Sequence, residues 1–348
     1  MTSKECNLRI CEDHLTKVSR TFALNIRVLK GDVYRGLLLA YLLCRIADTL
    51  EDDPSFSFDL KIDYLSFYAS LFPPSSDWRS QTGHFMDMLS FGRKSSDTLL
   101  VGDTDCVLSE FIKLSPAYIS IISHHVREMA LGMAEFQEKR SRNGIICLDD
   151  KEELERYCYY VAGTVGVMIT SLFAEGASSM PAGLKERLYS RSVAFGTGLQ
   201  LTNIAKDFFS DFGRGWCYVP RSFFESESIA PDMHLLQCNQ KALLGVFRRL
   251  ISLALENLDE ALLYTLDIPR SQVRYRLFCL WPLFMAVETL ARLSEEKESL
   301  LCGRTIKISR REVKKILFYT TMTVMSDHCL QAIYRRIRMK VAAFIPHN

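Results

Sequence analysis

The sequence predicts an all-α protein whose helices surround a central apolar cavity, and three observations carry that expectation. Apolar residues recur at helical spacing through most of the 348 positions. Strand signals are nearly absent, because no hairpin dipeptide stands between alternating runs. The helical segments are also apolar on more than one stripe, as expected of helices that pack on each other and line a cavity. Neither an internal repeat nor a Ser- or Pro-rich linker divides the chain, so one domain over 1–348 is expected.

In chain order, Leu8 to Leu29 and Val33 to Asp52 read as two apolar helices separated by Lys30-Gly31-Asp32. Pro54 and Pro73-Pro74 bracket another helix, and residues 75 to 107 read as irregular or partly helical. Long helices follow at about 108–140, 151–175, 183–210, 236–264, 271–297 and 310–340. Gly144, Gly176 with Pro181, the GRG at 213–215, Pro269 and Gly303 supply the punctuation.

Composition narrows the function classes. A hydrophobic content of 48% with 24% charge suits a globular protein with a sizeable core. The formal net charge of +2 gives no push towards nucleic acid, and no zinc finger, P-loop or RNA-binding signature occurs. The 11 cysteines are scattered and never spaced CxxC, so they read as buried thiols of a reducing, cytoplasmic compartment. No HExxH pair occurs, and the adjacent His124 and His125 read as structural or surface residues. The polar start MTSKECNLRICEDHL shows no secretory signal. The uncharged run from Tyr157 to Ala174 contains tyrosines, glycines and hydroxyls, and reads as a buried helix lining an apolar cavity. No transmembrane segment is therefore expected, although contact with a membrane surface would suit an enzyme of greasy substrates. The sequence does not fix an oligomeric state.

The chemistry begins at RIADTLEDD, residues 45 to 53, where Asp48 and Asp52 stand four apart at the end of an apolar helix. With 41 acidic residues in the chain, about five such pairs are expected by accident, so this pair alone decides nothing. GLQLTNIAKDFFSD at 198–211 supplies an independent second set. Asp207 and Asp211 repeat the spacing, and Gln200 and Asn203 fall on nearly the same helical stripe. A solvated face normally mixes Lys and Glu, whereas this stripe offers oxygen donors. Paired carboxylates on two helices suit Mg²⁺, with Mn²⁺ as a substitute, bound together with a substrate phosphate.

SRTFALNI at 19–26, YLLCRIADTLEDD at 41–53, YCYYVAGTVGVM at 157–168 and the 198–211 block, in this order, resemble the squalene/phytoene synthase family. Within the family, YCYYVAG and LFCLWPLFMAVETL at 277–290 are most similar to the squalene-forming branch. The chain departs from the family pattern at Leu201, Lys206 and Ser210, where a Lys, an Arg and an acid are usual. FGRGWCYVP is more similar to the phytoene-type loop.

The resemblance implies a class I isoprenoid synthase fold and head-to-head condensation of two farnesyl diphosphates, with Mg²⁺ and NADPH as cofactors. It implies Asp48, Asp52, Asn203, Asp207 and Asp211 as metal ligands. Ser19, Arg20, Arg45, Gln200, Asn203 and Lys206 are candidates for the diphosphate, each arginine being equally able to pair with a nearby aspartate. Phe22, Tyr41 and Tyr157 would shield an allylic cation, and the two tyrosines are candidates for the proton transfer. Phe278 and Lys307 are candidates for NADPH, since no GxGxxG follows a strand. Two alternatives remain: a non-reducing member making presqualene diphosphate, dehydrosqualene or phytoene, and a non-catalytic helical protein that binds prenyl lipid.

Overall fold

The structure is a computed structural model and describes residues 8–140, 146–177, 180–232, 239–304 and 306–345. Its backbone groups into two compact units, Met1–Arg142 with Val167–Met180 and Asn143–Gly166 with Pro181–Asn348.

The first unit contains α1 (Leu8–Val18), α2 (Arg20–Arg27), α3 (Gly31–Asp52), α4 (Phe58–Ser70), α5 (Trp78–Met88), α6 (Ser96–Gly102), α7 (Thr104–Phe111) and α8 (Pro116–Arg140). Gly31, at φ +62°, supplies the left-handed start of α3 that other residues resist. α3 is the unit's central helix, touched by α1, α2, α4, α6, α7 and α8. Leu38, Leu39, Leu42, Leu43 and Ile46 lose all contact with water there, each burial contributing about 1.5–3 kcal/mol. The hydroxyl of buried Tyr68 donates to the Leu43 carbonyl at 2.8 Å, so this core leaves that polar atom satisfied.

Three expectations for this unit are corrected. The helix expected from Leu8 to Leu29 is broken at Ser19, whose extended backbone and Oγ cap α2 by accepting from the Phe22 N–H. Residues 75–107 are mostly helical, forming α5, α6 and the start of α7; reciprocal capping between Ser95 and Thr98 starts α6. The helix expected over 108–140 is two helices, the second entered at Pro116, where a proline costs no hydrogen bond. The cysteine reading also needs one change. Cys106 is disulfide-bonded.

The second unit opens with β1 (Ile146–Cys147) and α9 (Lys151–Cys158). The helix then widens to π geometry over Tyr159–Gly163 and continues as α10 (Thr164–Gly176), inside which the division between units falls. α11 (Ala182–Gly213), β2 (Trp216–Cys217), α12 (Arg221–Glu225), α13 (Gln240–Asp267), α14 (Val273–Glu295), α15 (Lys297–Leu301), α16 (Arg310–Thr323) and α17 (Asp327–Ala342) follow. β1 and β2 form one short parallel bridge, the only strands among the described residues. The span expected at 310–340 is two helices, because Ser326 caps α17 by accepting from the Cys329 N–H. The first residues of the span expected at 236–264 lie outside the described residues.

α11 is the long helix of this unit and lies along α13 and the π segment. Its approach to the π segment and to the start of α10 is close because two glycines have no side chain. A Cβ on Gly196 would meet the Ala162 carbonyl oxygen at 2.0 Å, and one on Gly166 would meet the Ser192 carbonyl oxygen at 2.0 Å. On the other side, Phe208 sits edge-on to Phe247 of α13, with ring centroids 5.2 Å apart. Two helical stretches, Lys151–Gly176 and Val273–Glu295, are long and apolar enough to cross a membrane. The apolar window of the second is 72% buried inside the protein, as in a core helix.

Candidate active site

Helical rotation sorts the four carboxylates at the end of α3 into different surroundings. Glu51 turns inward, buried, with Gln137 donating to its carboxylate at 3.2 Å. Asp53 folds onto the following turn, accepting from the Ser55 N–H at 2.8 Å. Asp48, half-buried, and Asp52, exposed, remain as the pair on one face. Arg45, one turn earlier, donates through Nε to Asp97 at 2.9 Å and brings Nη1 to 3.9 Å from Asp48. The ion-pair alternative for Arg45 is thus what the structure shows, with Asp97 as its closer partner. Sequence reasoning missed Asp97, which sits 52 residues away in the first turn of α6.

The neighbouring aromatic and hydroxyl residues gather around Tyr41. Phe22 lies 5.2 Å from it, centroid to centroid. Burial raises the Tyr41 pKa, opposed by Ser19 and Arg45, so the ring keeps its proton at neutral pH. Arg20 is the first residue of α2; its side chain lies outside the described residues.

In the second unit α11 carries Gln200, Asn203, Lys206, Asp207 and Asp211 on its polar side, opposite Leu201, Ile204, Ala205, Phe208 and Phe212. The Lys206 ammonium stands 3.2 Å from Asn203 Oδ1 and 3.1 Å from Asp207 Oδ2. Arg214 Nη2 lies 2.5 Å from Asp211 Oδ1. The GRG turn bends through Gly215 at φ +82° and delivers Trp216 and Tyr218 to Tyr157. Tyr157 stacks on Tyr218 at 4.6 Å, and Tyr218 on Trp216 at 5.3 Å. That three-ring stack is a feature the sequence did not disclose. Phe278 is buried within α14, whereas Lys307 is exposed.

Both acidic sets fit a hard divalent cation. Each already holds a protein cation among its oxygens: Arg45 beside Asp48, Lys206 between Asn203 and Asp207, and Arg214 on Asp211. Asp48 shows the same need. Burial pushes its pKa up to about 7; Arg45 opposes the rise, and Asp52 and Asp97 add to it. A bound dication would reverse that rise.

The sign of the pH effect follows from the direction of the shift. A carboxyl whose folded-state pKa is raised binds its proton more tightly when folded. Stability of the metal-free protein therefore falls as pH climbs from 3.8 towards 7, and the loss stays in force above that window. The side chain keeps 36% of its surface exposed, so water tempers the effect. Asp48→Asn should raise the melting temperature of the metal-free protein at pH 8 and leave it unchanged at pH 3.5. Equal melting temperatures at pH 8 would show that Asp48 carries no such penalty.

The family model for "Squalene/phytoene synthase" matches residues 15–312, which contain every candidate site residue named above. The chain belongs to the squalene/phytoene synthase family. This is a family of prenyltransferases. The human protein named squalene synthase is 31% identical over 340 residues, covering 96% of this chain and 76% of the relative. The squalene synthase of Schizosaccharomyces pombe is 27% identical over 315 residues, covering 90% of this chain and 65% of the relative. The chain thus spans about two thirds of the length of one and three quarters of the other. Among solved structures, a complex of TcSQS with a ligand superposes with a TM-score of 0.80 at 24% identity, over 97% of this chain and 91% of that one. A dehydrosqualene synthase with a bound ligand gives 0.64 at 20% identity, over 91% of this chain and 96% of that one. These likenesses identify the fold as that of the helical isoprenoid synthases, as the sequence predicted.

Proposed function

We propose that this chain joins two farnesyl diphosphates head to head to presqualene diphosphate and then reduces that product with NADPH to squalene. One observation carries the first half. Two helices each present a pair of aspartates that already gathers cations, in a chain 31% identical to a protein named squalene synthase. Mg²⁺ held by Asp48, Asp52, Asn203, Asp207 and Asp211 would offset the charge developing on the departing diphosphate.

The chain's own residues do the rest. Arg45 and Lys206 offer guanidinium and ammonium donors to phosphate oxygens, Ser19 a hydroxyl, Arg20 a further cation and Gln200 an amide. Asp97 holds Arg45 through Nε, with the terminal Nη1 3.9 Å from Asp48 at the proposed metal site. The Phe22–Tyr41 pair and the Tyr157–Tyr218–Trp216 stack supply π faces to an allylic cation and keep water from it. The proton lost on cyclopropane closure passes to a tyrosine, with Tyr41 and Tyr157 as the candidates, to water or to the released diphosphate.

NADPH would supply the hydride of the second half-reaction. The chemistry of the residues fits it in part: exposed Arg304, Lys307, Arg310 and Arg311 offer cations to its phosphates, and Phe278 offers an apolar ring. Incubation with farnesyl diphosphate and Mg²⁺, with and without NADPH, tests the proposal by the products formed. Presqualene diphosphate or dehydrosqualene irrespective of NADPH would favour the non-reducing alternative. No condensation at all would leave only prenyl-lipid binding.

We also propose peripheral contact of a cytoplasmic protein with an anionic membrane. Phe318 is 60% and Met322 70% exposed on α16, with Met325 beyond it and Met339 on α17 also exposed. Exposed Lys314, Lys315, Arg335 and Arg336 belong to the same two helices, which flank a cavity of about 570 Å³ together with α14. Apolar side chains with interspersed cations suit anionic headgroups. The protein should sediment with vesicles containing phosphatidylserine and not with pure phosphatidylcholine, and Phe318→Ser/Met322→Ser should abolish sedimentation. Sedimentation unchanged in that variant would remove this contact.

A further inference from the structure

α8 carries a second set of metal-ligand side chains, chemically unlike the aspartate pairs. His124 and Glu128 are four apart and His125 and Glu128 three apart, the two spacings at which side chains meet on a helix. Glu128 Oε2 lies 3.8 Å from His124 Nε2 and 3.7 Å from His125 Nδ1. All three ligand atoms lie within 4.8 Å of one another.

Those separations exceed a hydrogen bond. They approach the spacing between ligands of a tetrahedral ion, about 3.4 Å for metal–ligand bonds of about 2.1 Å. Small rotamer changes close the remaining gap. The imidazoles themselves stand 4.9 Å apart at 76°, so neither ring stacks over the other's nitrogens.

A second observation is independent of the spacing. His125 is only 9% exposed, and its Nδ1 is buried without a hydrogen-bond partner in the structure. An unmet buried nitrogen costs stability unless something fills its lone-pair direction. Here that nitrogen is one of the three atoms that converge. Two imidazoles with one carboxylate favour a borderline ion such as Zn²⁺, where Mg²⁺ prefers all-oxygen surroundings. His124 is 72% exposed, which leaves a fourth position open to water.

We propose that His124, His125 and Glu128 bind one zinc ion on α8. The ion ties consecutive turns of a helix packed on α3 and α4, so binding stabilises the folded chain by linkage. This site is independent of the proposed prenyltransferase activity.

The test is zinc titration of the full chain by calorimetry in excess Mg²⁺, with melting temperature read in parallel. Cys302 and Cys329 are exposed thiols, so the parent for the test carries Cys302→Ser and Cys329→Ser. One equivalent of Zn²⁺ should bind and raise the melting temperature. His124→Ala, at an exposed position, and Glu128→Gln, at a half-buried one, should each weaken binding at least tenfold and remove the thermal shift. His125→Ala should do the same. If that buried substitution unfolds the chain, the other two variants decide the matter. Absence of zinc binding in the cysteine-substituted parent overturns the site, as does binding of equal affinity in His124→Ala and Glu128→Gln.

Discussion

Asp48→Asn and Asp207→Asn should each lower turnover of farnesyl diphosphate by two or more orders of magnitude, about 2.7 kcal/mol in barrier, with the helical fold retained. Asparagine keeps the shape of the side chain and one oxygen, and removes the charge that attracts a dication. Asp48 is half-buried beside Arg45, so losing its charge leaves that guanidinium held by Asp97. Asp207 is half-buried beside Lys206, whose ammonium keeps Asn203 as a partner. In both places local structure survives, and the expected loss is in the stabilisation of developing negative charge. Circular dichroism should be unchanged, and raising Mg²⁺ should recover little of the rate. Near-normal turnover in both variants at saturating Mg²⁺ would remove the metal reading.

Omitting NADPH should stop squalene formation and let presqualene diphosphate or its solvolysis products accumulate; restoring NADPH should give squalene. Phe278→Asp should harm this second step more than the first condensation. The ring is buried within α14, and a carboxylate there adds an unpaired charge where NADPH is proposed to bind. An identical product with and without NADPH would place the chain among the non-reducing members and leave the aspartate prediction standing. The departures at Leu201, Lys206 and Ser210 make this comparison informative. Lys206 in particular touches Asn203 and Asp207 and is proposed to meet the diphosphate.

What the sequence disclosed, and what it withheld, follows the range of the interactions. The ends of α3 at Asp52 and of α11 at the GRG turn were legible, because each is set by a local change of composition. The oxygen stripe of α11 was legible because helix periodicity places it. The break at Ser19 was hidden, since apolar spacing continues across it and only a single hydroxyl cap marks it. Asp97 was hidden because its pairing with Arg45 is tertiary, and the Tyr157–Tyr218–Trp216 stack because a loop brings the rings together. Glu51 stood in the acidic cluster by sequence, yet helical rotation took it to Gln137. The π widening at Tyr159–Gly163 has no compositional mark, since the uncharged run reads equally well as α-helix.

The glycine contacts of α11 with the π segment and the start of α10 set a limit on how this protein can be diversified. Any side chain at 166 or 196 drives into a main-chain oxygen, which cannot swing aside as a flexible side chain would. Axial sliding of one backbone past the other is blocked as well, so the placement of Tyr157 relative to Asn203 and Asp207 is inherited from those two positions. Substitution can therefore range more widely over the stacked aromatics Tyr157 and Tyr218, whose neighbours are side chains. The same mutational load at Gly166 and Gly196 would erase the scaffold on which every variant depends.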